Sequence, residues 1–169
     1  MTNPMQELHI AKVVVHMGVG ESGDRLVKGE NILKEITGGS PIRSIAKMTQ
    51  PAFGVRKGAP TGAKVTLRGK KAATFIDTAF AIVEKKISAR AFDREGNFSF
   101  GIEEHTDFPG QSYDPQIGIY GMDVNVVLEK PGVRIARRRI APRKLPSAQR
   151  VSREEAMAFV QEHYGMEVQ

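Results

Sequence analysis

The chain has no cysteine. That absence excludes a disulfide framework and a cysteine-ligated zinc site, and nothing points to an oxidising compartment. No apolar run approaches the roughly 20 residues that a bilayer-spanning helix needs. Met1 to Leu8 has neither a basic nor an apolar leader region, so no secretory signal is expected and the cytoplasm is the default compartment. Catalytic signatures are missing as well. There is no G-x-S-x-G, H-E-x-x-H, P-loop or kinase set, and the Ser and His positions suggest no triad.

A more local absence says most. No Asp or Glu occurs between Glu129 and Glu154, while nine of the 25 basic residues fall in that interval. Without those nine, the balance is 16 basic residues against 19 acidic ones. One segment therefore gives the chain its net charge of +6. A block of cations suits a polyanion, because each neutralised phosphate releases counterions and adds affinity. The ordinary alternative is a solvated tail that aids solubility.

What is present fits a globular protein. The 169 residues suit one domain, and 40% are hydrophobic against 26% charged. Residues 1–169 are read as one domain, with a basic extension from about residue 130 that ends in a short helix. Ala11 to Met17 alternates as a strand, with Lys12, Val14 and His16 on one face. Asp24 to Thr37 reads as a helix stopped by Gly38 and Gly39. Pro41 to Met48 is a second strand, with Arg43, Ile45 and Lys47 together. Met48 to Pro60, with two prolines and two glycines, is a long loop or loose hairpin. Gly62 to Arg68 alternates again, setting Lys64, Thr66 and Arg68 opposite Val65 and Leu67.

Lys70 to Ser88 reads as a helix with a stripe of Ala72, Ile76, Ala79, Phe80, Val83 and Ile87. Asn97 to Ile102 and Ile117 to Leu128 are strands, separated by a polar loop. Val133 to Ile140 begins as a strand before the arginine run. Ser152 and Glu155 form a capping box for a last short helix. The fold class is α+β: two layers, a mainly antiparallel sheet, and helices packed on one face. The other face then carries Lys12, His16, Arg43, Lys47, Lys64, Thr66 and Arg68. Such a face suits RNA, although antiparallel sheets also show polar faces to water alone.

Two motifs point to chemistry. Gly18 to Gly23 spells G-x-G-x-x-G after a strand and before a helix, as a nucleotide-dependent enzyme would. The acid that should close the next strand is missing, since that strand ends in Lys47 and Met48. Glu103, Glu104, His105 and Asp107 resemble a metal or acid–base cluster, but one His without Cys in a surface loop is a poor zinc site. Phe53, Arg56 and Lys57 in the long loop fit a nucleic-acid contact as well as an ordinary charged loop. Arg137 to Arg139 leave open a DNA-binding architectural protein.

Five segments in this order, KVVVHMGVGESGDRL, ITGGSPIRSIAKMT, FGVRKGAPTGAKVTLRG, GNFSFGIEEH and YDPQIGIYGMDV, resemble the ribosomal protein L-five family in its archaeal and eukaryotic form. The resemblance covers nearly the whole chain. It implies a protein of the central protuberance of the large subunit that attaches 5S ribosomal RNA, has no active site and needs no cofactor. Implied contacts to 5S RNA are His16 and Thr66, helped by Arg43, Lys47 and Lys64. A loop of Thr49, Gln50, Phe53, Gly54, Val55, Arg56 and Lys57 is implied to approach transfer RNA in the peptidyl site. Arg134, Arg137, Arg138, Arg139, Arg143 and Lys144 are expected to meet ribosomal RNA. Further implied partners are neighbouring ribosomal proteins and a small-subunit protein across a bridge, with no membrane. This chain has His16 where many members carry Asn, and Gly39 where many carry Gln.

Overall fold

Alternation along the longest strands decides the architecture. The structure, a computed structural model, describes residues 3–169. Strand β1 (His9–Gly18) turns Val13, Val15 and Met17 inward, each fully buried. Burying a side chain of that size contributes about 1.5–3 kcal/mol, so a register slip of one residue would be costly. β1 lies centrally, antiparallel to β3 (Pro60–Leu67) and to β6 (Met122–Glu129). The edge strands β2 (Ile42–Ile45) and β5 (Phe98–Ile102) complete a five-stranded antiparallel sheet of order β2-β3-β1-β6-β5.

Helices α1 (Asp24–Thr37) and α2 (Lys70–Ile82) cover the apolar face. Leu33, Ile76 and Phe80 join Val65, Val124 and Phe98 in one continuous core. α1 has the bounds the sequence predicts. It stops where Gly38 takes a left-handed conformation (φ 58°) and its amide reaches Lys34 O. The last helix, α4 (Arg153–Tyr164), opens with the complete capping box. Ser152 Oγ accepts from Glu155 N, and Glu155 accepts from Ser152 N. Its Ala156 and Val160 enter the same core, and Tyr164 meets the edge of Phe80 at 5.1 Å.

Four elements differ from the sequence reading. β2 spans Ile42–Ile45 and not Pro41 to Met48, because its pairing with β3 shifts register after Ser44 and then stops. α2 ends at Ile82, not Ser88, because Glu84 and Lys85 turn the chain with φ 54° and 57°. Ile87 is buried as expected, but in β4 (Lys86–Ile87), which pairs in parallel with β7 (Glu167–Val168). β6 starts at Met122 and not Ile117, since Asp114 caps a turn and Gly118 (φ 83°) breaks the extended chain. Val133 to Ile140 does not begin as a strand. After the Pro131-Gly132 turn, α3 (Arg134–Arg137) forms a single helical turn.

Candidate nucleic-acid interface

The register of the sheet sorts the candidate residues by face. Lys64 pairs with His16, and His16 with Asp123. Beside that row, Thr66 pairs with Val14, Val14 with Asn125, and Asn125 with Ser99. Paired residues in an antiparallel sheet point the same way. Lys64, His16, Thr66, Asn125 and Ser99 therefore share the face opposite the helices. Lys64, Thr66, Asn125 and Ser99 are exposed, and His16 is half-buried.

Glycine lets that face pack closely. A Cβ on Gly62 would come within 2.7 Å of Met17 O and 3.3 Å of His16 Nε2. The imidazole thus lies over a position that has no room for a side chain. His16 Nδ1 also stands 3.7 Å from the Asp123 carboxylate, which the sequence reading does not place on this face. Asn125 and Ser99 escape it in the same way. Their signal was available, because Asp123 and Asn125 alternate with Met122, Val124 and Val126.

Arg43 belongs to the other side. It pairs with Ala63, a core residue, and not with Lys64. Its guanidinium lies over α1 and holds Glu30 through both ends, with Nη2 to Oε2 at 3.0 Å. That hydrogen bond and charge raise its pKa above the ordinary value, so it stays a fixed cation. The open-face neighbour of Lys64 on β2 is Ile42, 66% exposed. The expectation that Arg43 lies with Lys64 and Thr66 is therefore corrected by one residue of register. Lys47 is exposed beyond the end of β2. Arg68 sits past the end of β3 and reaches Ala11 O at 3.4 Å.

The loop from Thr49 to Lys57 is a tied hairpin. Gln50 and Val55 bridge through both backbone groups, at 2.8 and 3.2 Å. Lys57 N donates to Thr49 Oγ1 at 3.1 Å. Gly54 (φ 65°) closes a short turn that leaves Phe53 80% exposed, with Arg56 and Lys57 exposed beside it. Phe53 is thus no local packing anchor.

The basic extension folds back over the far end of the open face. Lys12, Val127, Glu129, Arg137 and Lys144 line one cleft of about 490 Å³ between the sheet and the extension. Arg137 Nη2 lies 2.7 Å from Glu129 Oε1, which fastens α3 to β6. Gln149 Nε2 donates to Met5 O and Pro131 O. Lys130, 5% exposed, donates to Glu155 at 2.8 Å. Arg134, Arg138, Arg139, Arg143 and Lys144 remain exposed.

The glycine motif has a different job. Val19 N and Gly20 N both donate to Thr61 O, at 3.1 and 2.8 Å, so those amides are not turned toward a ligand. β3 lies between β1 and β2 and runs antiparallel to both, which removes the adjacent parallel pair a dinucleotide site is built on. In the acidic loop, His105 is 2% exposed and not a surface group. Its Nδ1 accepts from Tyr120 N at 3.2 Å, and its backbone N donates to Tyr120 O. Among the described residues, no three His, Asp or Glu side chains converge as metal ligands.

Two family models match the chain. The one described as "Ribosomal protein L5" covers residues 3–56, and the one for the C-terminus of the same ribosomal family covers residues 60–159. Among curated relatives, the large ribosomal subunit protein uL5 of Methanoregula boonei is 66% identical, over 97% of this chain and 99% of its own. Those of Methanoculleus marisnigri and Methanospirillum hungatei are 65% and 60% identical, over 97% and 99% of this chain and 98% and 99% of theirs. With both family models and full-length relatives in agreement, the chain belongs to the ribosomal protein L5 family.

Proposed function

We propose that the chain is a structural constituent of the large ribosomal subunit that binds 5S ribosomal RNA and catalyses no reaction. It acts as one binding unit, and its place is the ribosome in the cytoplasm. The observation that carries this reading is the shared face of Lys64, His16, Thr66 and Asn125, continued by residues 130–153, which contain no Asp or Glu, over the far end of that face. Exposed ammonium and guanidinium groups fix phosphates, and short hydrogen-bonders reach riboses and splayed bases. The A-form major groove is too narrow for side chains, so specificity comes from RNA shape and from loops.

The parts divide the work. The sheet face takes 5S RNA. The extension, through Arg143 and Lys144 outside its arginine-lined groove, takes further ribosomal RNA and helps attach 5S RNA to the central protuberance. The stiff Thr49–Lys57 hairpin presents Phe53, Arg56 and Lys57 to transfer RNA in the peptidyl site. The protein also contributes to a bridge to a small-subunit protein. The test is the affinity for 5S RNA across a salt series, beside an unrelated RNA hairpin. The affinity should fall steeply with salt, with a log–log slope of about −0.7 to −0.9 per phosphate neutralised. A flat response, or equal binding of the hairpin, would overturn the reading.

A further inference from the structure

Ile140 is 82% exposed although the backbone around it is tied. Ala141 adopts φ 48°, a left-handed conformation that residues with a Cβ rarely take. Arg138 Nε donates to Ala141 O at 2.9 Å, and Arg143 N donates to Ile135 O at 3.2 Å. These ties hold Ile140 outward beside Ile135, itself 42% exposed. The two isoleucines and Ala141 floor a shallow groove of about 650 Å³, and Arg134, Arg138 and Arg139 form its rim. Residues 130–153 contain no Asp or Glu, so that stretch of chain supplies the rim with no carboxylate of its own. Arg137 differs, since it faces Glu129.

We propose that this groove docks an acidic polypeptide segment of another protein, one that carries an aliphatic side chain between Asp or Glu residues. The rim alone suits any polyanion; the floor decides the class. An aliphatic floor favours a group that brings no polar atoms to be desolvated. RNA offers phosphates, riboses and bases, and bases stack on aromatic rings and guanidinium planes. An acidic peptide brings carboxylates for the bidentate guanidinium pairs and an aliphatic anchor a few ångströms away. The inference goes beyond 5S RNA binding and does not depend on it.

The test titrates the full chain with a fluorescein-labelled synthetic peptide of Asp and Glu bearing one central leucine. The control is the same peptide with serine in place of leucine. Anisotropy should show the leucine peptide binding about tenfold tighter. Ile140→Ser and Ile135→Ser should each remove that preference while leaving the melting temperature and 5S RNA affinity unchanged. Equal affinity for the two peptides would overturn the proposal. So would a loss of RNA affinity in Ile140→Ser as large as the loss for peptide, which would assign the groove to RNA. Failure of 5S RNA binding with the leucine preference intact would sink the proposed function and leave this inference standing.

Discussion

Lys130 and Glu155 meet at 2.8 Å, and the lysine is nearly out of solvent while the carboxylate sits in the first turn of α4. The same carboxylate accepts from Ser152 N, so one side chain caps a helix and neutralises a buried cation. The hydrogen bond from Lys130 is the main cause holding Glu155 below its ordinary pKa of 4.5. A depressed carboxylate stabilises the fold fully above its unfolded pKa, and the contribution is lost as pH falls through the folded value. Glu155→Ala should cost about 1–2 kcal/mol at neutral pH, discounted because the carboxylate is half-exposed. The gap in melting temperature between wild type and variant should close below about pH 4.5. A gap that stays constant on acidification contradicts this account.

Gly62→Ala should be costly for a residue that only gains a methyl group. Backbone stands in the way, since Met17 O cannot yield without moving β1 away from β3. Overpacking of this kind costs about 1–3 kcal/mol. The shift also disturbs His16 and Lys64, so denaturant midpoint and 5S RNA affinity should fall together. Normal affinity in a destabilised variant would separate His16 from the RNA site.

The face assignment makes Lys64 and Arg43 behave differently. Lys64→Ala should weaken 5S RNA binding and lower the salt slope by about one. Thr66→Val should cost about 1 kcal/mol, roughly fivefold in affinity, with little change in slope. Arg43→Ala releases Glu30 on the helix side and should leave RNA affinity nearly untouched. Filter binding of the three variants at two salt concentrations checks the ordering. An Arg43 variant as defective as the Lys64 variant would reject the assignment.

Arg56→Ala with Lys57→Ala should leave 5S RNA affinity nearly intact while weakening the placement of transfer RNA in reconstituted ribosomes. Footprinting of transfer RNA, set beside 5S binding by the isolated chain, reads the two roles separately. Collapse of 5S binding would show that loop and sheet face are one site.

Much of the fold is legible in the residues alone. Alternation places Val13, Val15 and Met17 inside and Lys64 and Thr66 outside, because an antiparallel strand has period two. The cap of α4 is readable because Ser152 and Glu155 carry it locally. Arg43 is misplaced by pattern because β2 is short and edge-bound. Its apolar members, Ile42 and Ile45, are both exposed, so hydrophobicity does not report its inner face. Ile87 reads as part of α2 because its partner lies in β7, at the other end of the numbering. A pairing over that distance leaves no trace in a local window. Arg134 to Arg137 mislead for a related reason, as a single turn is too short to show helical periodicity.

The anchoring of the extension has a kinetic consequence. Gln149 and Arg137 bind it to the body at two places and Lys130 ties its start to α4, so its backbone has shape before any partner arrives. A polyanion meeting it has little main-chain freedom left to remove, and the association becomes the docking of two preformed bodies. Encounter is then governed by long-range attraction and diffusion, without a slow folding step after contact.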